Sequence, residues 1–413
     1  MKILIVTDVY YPKIDGVVVS ILNLTKTLTK KKHTFCIIAP EYDKKVRKIR
    51  NKKIREHRLK GVSFPTYKEF KIAIPNYRKV NKIITNFEPD VIHIQTPGTL
   101  GLLGMVIAKR KKIPVVNTYH TSIPDILVYA SPIKMLKLDK LLENSNLYVP
   151  KKIPKLSVPK KFKEKIQEII PKLKVNSSEF TRNAVWNLTN RFYDKSDMII
   201  TPTSKIKDEL LKYGSKSEVK VVSNGIELDI FTKKRRYSSC KKFLYVGRVG
   251  FEKRVDVIID AFKIVNKKYP ETRLTVVGDG PAIESLKENN QNVKFTGYIK
   301  RKDLPLIYRK HDVFLTASEM ETQGLVLIEA MACGLPVIGV DALAVPEVIK
   351  DGYNGFLCRP KDSEQIAKRM VQLIKNPDLA KEYGKNARKE AEKHDLNKTA
   401  EVMEGVYKDC LSK

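Results

Sequence analysis

Short, nearly continuous apolar runs alternate with helical or basic stretches along most of the chain. In the first half these runs lie at residues 2–7, 90–94, 113–116 and 197–201. After a polar stretch at 224–241 the alternation resumes, with runs at 243–246, 273–277, 292–295, 312–315 and 335–338. Val/Ile/Leu strands that alternate with helices are typical of parallel sheets covered on both faces. The pattern predicts an α/β protein with two doubly wound, Rossmann-like lobes that face a central cleft.

The same pattern predicts the boundaries of the lobes. Residues 1–222 would form the first lobe, 223–240 a linker and 241–395 the second lobe, and residues 396–413 would form a helix that packs back on the first lobe. The region from about 131 to 178 does not follow the alternation. It is rich in Lys, interrupted by Pro, and contains one amphipathic helical pattern at 162–170, which predicts an insertion in the first lobe.

The loops that follow the strands are the expected place for chemistry, because doubly wound sheets bind ligands beyond the carboxyl ends of their strands. In the segment 247–253, Gly247 and Arg248 follow a strand and Lys253 precedes a helical pattern. Two cations and a flexible glycine at the start of a helix can bind a diphosphate through charge, hydrogen bonds and the helix dipole. The alternative is that both cations are ordinary solvated surface residues.

A second segment of this kind begins at Glu319. Glu321 precedes a helical pattern at 325–333 that contains Glu329, so a ligand lying along the helix start could meet both carboxylates. The amides near Gly324 would add an anion-binding position. The alternative is a helix-start acid and a surface Glu, but the apolar neighbours of Glu329 imply a buried carboxylate that needs a definite partner.

The histidines and the potential metal ligands give weaker indications of function than these two segments. His120 follows a strand and is either a ligand-contacting group or a satisfied loop residue, whereas His93 lies inside a strand and is interpreted as core. The sequence has no His/Cys cluster with metal-ligand spacing and no Asp-x-Asp motif, so no metal site is predicted. A Gly-x-Gly-x-x-Gly fingerprint and a P-loop are also missing, which disfavours dehydrogenases and NTPases.

The charge is unusual for a chain of this length. Lys and Arg number 79 against 46 Asp and Glu, a formal net charge of +33. Residues 1–222 carry most of the excess, with concentrated blocks at 44–60 and 134–174. A polyanionic surface is the implied partner. The five scattered cysteines and the absence of an apolar leader or spanning segment predict a cytoplasmic protein with reduced thiols.

Together these motifs resemble the retaining glycosyltransferases of family four. The resemblance rests on Gly247-Arg248 with Lys253, Gly278 in the turn 277–281, the segment 295–298, Glu321 to Leu325 with Glu329, and the segment 351–356, which occur in the family's order and spacing. It covers essentially the whole chain. It implies the GT-B architecture, in which the second lobe holds a nucleotide sugar and the first lobe holds the acceptor.

The resemblance also implies roles for individual residues. Arg248 and Lys253 would stabilise the leaving diphosphate, Glu321 would bind the donor sugar and Glu329 the ribose, and His120 would lie beside the donor sugar. The implied catalytic set is His120, Arg248, Lys253 and Glu321. The implied donor-binding set is Gly16, Gly247, Arg248, Lys253, Gly278, Tyr298, Ile299, Glu321, Thr322, Gln323, Gly324, Leu325 and Glu329. The backbone of Tyr298 and Ile299 would contact the base and that of Gly16 the phosphates. One departure is that the family's paired glycines in the first loop read Asp15-Gly16 here.

Within the family the segments 15–20, 96–101, 120–125 and 321–325 look like those of diacylglycerol glucosyltransferases and their sulfoquinovosyl or mannosyl relatives. This likeness implies transfer of a hexose from a nucleotide diphosphate sugar, with UDP-glucose favoured, to a lipid such as diacylglycerol. It implies a peripheral enzyme on the cytoplasmic face of the membrane, with no cofactor and no metal, and the basic excess agrees with an anionic membrane surface as partner.

Four alternatives remain open from sequence. They are a GDP-mannose-dependent mannosyltransferase or another family-four enzyme, a basic nucleic-acid-binding protein, a non-catalytic membrane scaffold, and a sugar-nucleotide epimerase on the same architecture. The basic blocks contain few aromatic residues that could stack on bases, so we expect no nucleic acid partner.

Overall fold

The computed structural model describes residues 1–13, 15–42, 51–64, 67–120, 178–234, 237, 240–288, 290 and 292–412. The chain divides into two compact units, one formed by Met1–His120 with Phe192–Lys413 and the other by Thr121–Arg191. The predicted helix at 162–170 and all but the last residue of the predicted insertion lie outside the described residues. The larger unit contains the strands of both sheets described below.

The first lobe is built on a seven-stranded sheet in the order β3-β2-β1-β6-β7-β8-β9, in which every neighbouring pair is parallel. Its strands are β1 (Lys2–Val6), β2 (Thr34–Pro40), β3 (Ile54–Leu59), β6 (Val91–Ile94), β7 (Val115–Thr118), β8 (Met198–Thr201) and β9 (Val219–Val221), with a separate hairpin of β4 (Gly61–Phe64) and β5 (Tyr67–Ala73). The helices along this part of the chain are α1 (Gly16–Lys30), α2 (Tyr77–Phe87), α3 (Thr99–Lys111), α4 (Ser178–Tyr193) and α5 (Ser204–Lys212).

The second lobe is built on a six-stranded parallel sheet in the order β12-β11-β10-β13-β14-β15. Its strands are β10 (Lys242–Val246), β11 (Arg273–Val277), β12 (Val293–Gly297), β13 (Val313–Leu315), β14 (Val337–Val340) and β15 (Gly355–Cys358). Its helices are α6 (Val255–Lys268), α7 (Ile283–Glu288), α8 (Leu304–Lys310), α9 (Leu325–Ala332), α10 (Val345–Val348), α11 (Ser363–Lys375) and α12 (Pro377–Ala391), followed by α13 (Leu396–Leu411). The prediction of two doubly wound parallel sheets is confirmed.

Three strands of the first sheet were missing from the predicted pattern, namely β2, β3 and the short edge strand β9. Strand β2 is apolar and almost fully buried. Strand β3 lies inside the basic block 44–60, and only its ends, Ile54 and Leu59, are apolar and buried. Its central residues are polar or charged: Arg55 is exposed, whereas the buried Glu56 is paired with Arg58 at 3.1 Å. An edge strand of this composition has no apolar run for sequence analysis to detect.

The last helix, α13, packs on the first sheet although it follows the second lobe in the chain. Met403, Val406 and Tyr407 lie in one buried cluster with Ile3 and Ile5 of β1. The chain therefore passes between the lobes twice, once before β10 and once after α12. The two passages are joined to each other, because Ile226 N donates to His394 O at 2.8 Å and Leu396 N donates to Ile226 O at 3.0 Å.

Both sheets have a point at which the strand order reverses. In the first sheet it lies between β1 and β6, and in the second between β10 and β13. Loops diverge at such a point and leave a crevice at the carboxyl edge of the sheet, where doubly wound proteins bind ligands. The loops at these two crevices contain residues 7–15 and 95–98 of the first lobe and residues 247–250 and 316–324 of the second.

Candidate functional site

Three glycine-containing loops of the second lobe are joined at the carboxyl edge of the sheet. Gly247 N donates to Val277 O, and Gly278 N donates to Gly297 O, both at 2.9 Å. A Cβ atom on Gly278 would lie 1.8 Å from the carbonyl oxygen of Gly247. Only glycine permits this approach, so the turn at Gly278 is a fixed part of the site's floor.

Lys253 and Glu321 form an ion pair beside this floor. Lys253 ends a short 3₁₀ helix (Phe251–Lys253), and its Nζ lies 2.6 Å from Glu321 Oε1. Burial acts to raise the pKa of Glu321, but the Lys253 ammonium outweighs it and holds that pKa below its usual range. The structure thus brings together two predicted site residues that are far apart in sequence, and it keeps Glu321 ionised.

Arg248 lies at the side of the site that faces the first lobe. Its side chain is 40% exposed, and Nη1 lies 3.3 Å from Glu252 Oε1. Burial raises the pKa of the Asp15 carboxyl, whereas the amides of Val18 and Val17 and the charges of Lys13 and Arg248 oppose that rise. The guanidinium of Arg248 is therefore close enough to act on the first loop of the other lobe.

The N-termini of α1 and α9 meet at the same place. A Cβ atom on Gly16, the first residue of α1, would lie 3.9 Å from Leu325 Cδ1 at the start of α9. Gly324 precedes α9 in the left-handed region with φ of 80°, and α9 has no side-chain cap. Two helix N-termini place partial positive charge near one point, and the start of α9 has no side-chain cap, which suits an anionic ligand.

Asp15 caps α1 at this point, because its Oδ1 accepts from Val18 N at 3.0 Å. The residue that replaces the first of the family's paired glycines therefore has a definite local function. Its side chain satisfies an amide of the helix start, which stabilises a helix by about 1 kcal/mol.

His120 lies at the other side of the crevice, in the first lobe. Its Nε2 lies 2.6 Å from Gln95 Oε1, and burial lowers its pKa to about 3. His120 is therefore neutral near pH 7, with Nε2–H donating to Gln95 and Nδ1 left as an acceptor. Its carbonyl oxygen accepts from Thr322 Oγ1 at 2.7 Å, which connects His120 to the loop that contains Glu321.

Gln323 points away from the expected donor position. Its Oε1 accepts from Asn224 N at 3.0 Å and from Asn224 Nδ2 at 2.7 Å, while its Nε2 donates to Ser223 Oγ at 2.6 Å. The side chain of Gln323 is therefore engaged with the segment between the lobes. A role for Gln323 in donor binding would have to come from its backbone.

Glu329 is enclosed in α9, with the residue 1% exposed. Arg301 Nη1 contacts its Oε1, and Tyr308 Oη donates to its Oε2 at 3.1 Å. Burial raises the pKa of Glu329, and Arg301 and Tyr308 oppose the rise. The buried carboxylate predicted to need a definite partner has one, but the sequence analysis did not identify Arg301 or Tyr308.

The remaining predicted residues lie around the loop after β12. Tyr298 is exposed, and partial burial together with the nearby Tyr11 of the first lobe raises its pKa. Ile299 is partly buried and packs against the cluster that contains Leu304 and Leu327. Both residues lie two or three positions before Arg301, at the second lobe's side of the crevice.

The described residues contain neither a metal-ligand cluster nor a membrane-spanning helix. Among them, no group of three or more His, Cys, Asp or Glu side chains is arranged to hold a metal ion. Within the same part of the chain, no helix has the length and apolar character needed to cross a bilayer.

Comparison with known proteins identifies the family. The family model described as Glycosyltransferase Family 4 matches residues 14–230, more than half of the chain, and that of Glycosyl transferases group 1 matches residues 227–390. The chain belongs to glycosyltransferase family 4.

Relatives within the glycosyltransferases match over most of their length. The alpha-monoglucosyldiacylglycerol synthase of Acholeplasma laidlawii is 29% identical, covering 100% of this chain and 98% of the relative. The protein of the same name from Streptococcus pneumoniae is 30% identical over 92% of this chain and 80% of the relative. Sulfoquinovosyl transferase SQD2 of Arabidopsis thaliana is 26% identical over 80% of this chain and 59% of the relative.

Solved glycosyltransferase structures share the fold. Sucrose-phosphate synthase of Thermosynechococcus elongatus superposes with a TM-score of 0.74 at 17% identity and covers 100% of both chains. Anabaena HepE in complex with UDP-glucose gives 0.70 at 18% identity, covering 99% of this chain and 100% of that one. This glycosyltransferase therefore has the GT-B architecture.

Proposed function

We propose that this glycosyltransferase transfers a hexose from a nucleotide diphosphate sugar, UDP-glucose in the favoured case, to a membrane lipid such as diacylglycerol, with retention of the anomeric configuration. The observation that carries the proposal is the position of the Lys253–Glu321 ion pair in the same crevice as the N-termini of α1 and α9. A fixed cation and two helix starts suit a diphosphate, and an ionised carboxylate beside them suits sugar hydroxyls.

In the proposed reaction the bond between the anomeric carbon and the diphosphate oxygen breaks while the acceptor oxygen bonds to that carbon. Negative charge grows on the diphosphate, where Arg248, Lys253 and the amides at Gly16 and Leu325 would stabilise it. Preorganised groups of this kind contribute because they need no reorganisation as the charge develops. His120, which is neutral, would accept a sugar hydroxyl at Nδ1 and would not supply positive charge.

Retention of the anomeric configuration requires either that the acceptor attacks the face from which the diphosphate leaves, or that a carboxylate of the enzyme acts as a nucleophile first. The two acids of the first loop are both engaged as caps. Asp15 accepts from Val18 N, and Asp8 accepts from Thr96, Thr99 and the amides of Leu100 and Gly101 at the start of α3. We therefore favour same-face displacement, in which the proton of the acceptor hydroxyl moves to the departing diphosphate oxygen.

Two features support a lipid acceptor. One is the similarity to proteins named for glucosyldiacylglycerol synthesis and sulfoquinovosyl transfer. The other is the net charge of +33, since each Lys or Arg near an anionic bilayer contributes about 1 kcal/mol of attraction. On this basis we propose that the enzyme works as a peripheral protein on an anionic membrane surface.

The proposal is tested by incubating the full chain with labelled UDP-glucose or GDP-mannose and vesicles of phosphatidylglycerol with diacylglycerol. We expect label from UDP-glucose in the organic phase, and an α-linked product by NMR. Glu321→Gln should lower transfer about 100-fold or more, whereas the exposed Glu284→Gln should not change it.

Each other outcome refutes a defined part of the proposal. If only GDP-mannose gives labelled product, the proposed donor, UDP-glucose, is wrong. A β-linked product would refute the proposed retention of the anomeric configuration. Label that stays in the aqueous phase as a glycoside of another acceptor would refute the proposal of a lipid acceptor. A Glu321→Gln variant with wild-type activity would show that Glu321 is not part of the active site.

A further inference from the structure

Two neighbouring strand ends of the first lobe contact the loop that contains Glu321. His120 follows β7, Thr203 follows β8, and these strands are parallel neighbours in the sheet. Thr322 Oγ1 donates to His120 O at 2.7 Å, and Thr203 Oγ1 donates to Thr322 O at 3.0 Å. The residue next to Glu321 in the second lobe is therefore bonded to both strand ends of the first.

Thr203 is placed to cap its own helix but does not. It is the N-cap residue of α5 and has an extended backbone, yet its hydroxyl makes no capping hydrogen bond. A threonine at this position normally accepts from an amide of the first helical turn. Thr203 is 4% exposed, and its buried hydroxyl donates to the other lobe instead.

A carboxylate of the second lobe caps α5 in its place. Ser204 N donates to Glu347 Oε2 at 2.9 Å, and Lys205 N donates to Oε1. Such a carboxylate is stabilised by the free amides and by the helix dipole. Glu347 lies in α10, and Ala344 N, just before that helix, donates to Glu321 O at 3.2 Å. Both groups that hold the start of α5 are thus connected to the backbone around Glu321.

We propose that Thr203 and Glu347 are positioning residues for glycosyl transfer. They fix the start of α5 to the second lobe and so set the distance between His120 and Glu321. The inference rests on the proposed function, which places the donor sugar between these two side chains. Neither Thr203 nor Glu347 touches the substrate. The hydroxyl of Thr322 belongs to the same contact, so a contribution of Thr322 to donor binding comes from its backbone.

The expected effect is on the chemical step and not on nucleotide affinity. The side chains proposed to hold the diphosphate, Arg248 and Lys253, both belong to the second lobe, and so do their ion-pair partners. Transfer also needs His120 from the first lobe, and a displacement of about 1 Å can cost about 100-fold in rate. A looser crevice would also admit water, so hydrolysis of the donor should increase relative to transfer.

The test uses the full chain, vesicles of phosphatidylglycerol with diacylglycerol, and the donor that wild type transfers, UDP-glucose or GDP-mannose. Calorimetric titration with UDP or GDP gives the affinity and the number of binding sites in each sample. Transfer and acceptor-free hydrolysis are then expressed per nucleotide-binding site, which removes the contribution of unfolded protein. The variants are Thr203→Val, Thr203→Ser, Glu347→Ala and the double variant of Thr203→Val with Glu347→Ala.

Two matched substitutions serve as controls. Thr85→Val removes an exposed hydroxyl from α2 of the first lobe. Glu284→Ala removes a carboxylate from α7 of the second lobe, where the side chain is 78% exposed. Both controls should transfer at the wild-type rate.

Thr203→Val should transfer about tenfold more slowly per binding site, with nucleotide affinity within about threefold of wild type. Thr203→Ser, which keeps the hydroxyl, should recover most of the rate. Glu347→Ala should lose about fivefold, as expected for loss of a helix cap, and the double variant should be slower than either single variant. In each slow variant the ratio of hydrolysis to transfer should rise.

The inference is overturned if Thr203→Val keeps the wild-type rate per binding site. It is also overturned if Thr203→Ser is as slow as Thr203→Val, since packing and not the hydrogen bond would then matter. A loss of nucleotide affinity in proportion to the loss of rate would overturn it as well, because Thr203 would then serve donor binding. If wild type binds neither nucleotide or transfers no sugar, the proposed function itself fails and this inference fails with it.

Discussion

Gln323 connects the loop that contains Glu321 to the segment between the lobes. The residue is 2% exposed. Its amide group makes hydrogen bonds with Asn224 N, Asn224 Nδ2 and Ser223 Oγ, and a longer one of 3.4 Å with His394 Nδ1. Asn224 in turn accepts from Ser20 Oγ of α1 at 3.0 Å. One side chain thus joins the donor loop, the interlobe segment and the first lobe.

Replacing Gln323 by Leu keeps a similar volume but removes every hydrogen bond of the side chain. The Asn224 amide would remain without its acceptor, which costs about 1–3 kcal/mol for a buried group. The three side-chain partners, Asn224 Nδ2, Ser223 Oγ and His394 Nδ1, can partly find each other or water and should cost about 1 kcal/mol between them. We therefore expect the free energy of unfolding to fall by about 2–4 kcal/mol.

The variant should also lose activity, because the loop would no longer be fixed relative to the first lobe. A displacement of about 1 Å at a catalytic group can cost about 100-fold in rate, so we expect kcat to fall at least tenfold. Urea unfolding followed by circular dichroism measures the first effect and transfer to lipid vesicles the second. Gln372→Leu is the matched control, since the Gln372 side chain accepts one hydrogen bond, from Arg369, on the surface helix α11.

The reasoning is refuted if Gln323→Leu unfolds at the same urea concentration as wild type. A stability loss equal to that of Gln372→Leu would refute it as well. A destabilised variant with unchanged kcat would show that Gln323 supports the fold without positioning the loop.

Three further predictions concern single side chains. Asp15→Ala should destabilise the protein by about 1 kcal/mol in urea unfolding through loss of the α1 cap, whereas Asp15→Asn, which keeps an acceptor, should not; equal losses would contradict the capping role. Lys253→Met should raise the pKa of Glu321 and lower transfer about 100-fold, while the exposed Lys263→Met should match wild type. Burial lowers the pKa of His93 to about 3, so its contribution to stability is complete above the unfolded pKa of about 6.5 and falls by about 1.4 kcal/mol per pH unit below it. Between pH 6 and 5, the free energy of unfolding of His93→Gln should therefore fall less steeply with decreasing pH than that of wild type, by about 1.4 kcal/mol per pH unit. An equal slope in the two proteins would contradict the lowered pKa of His93.

Local sequence determined the α/β architecture because each parallel strand, buried on both faces, needs a nearly continuous apolar run. It also located the chemistry, since a strand followed by a glycine-containing loop and a helix start is visible in the residue order, as in Gly247 to Lys253. Strand β3 escaped detection for the same reason, because its central residues are polar or charged. The glycine at 278 was visible in the sequence, but the close approach of Gly247 that requires it was not.

Tertiary structure alone decided which side chains meet. Lys253 and Glu321 are 68 residues apart, and only the strand order brings their loops to the same crevice. Arg301 becomes the partner of Glu329 where α9 meets the loop after β12, and Asn224 becomes the partner of Gln323 where the interlobe segment meets the loop before α9. A buried polar group must be satisfied wherever the fold places it. The sequence could therefore show that Glu329 needs a partner, and the identity of that partner depended on the three-dimensional arrangement.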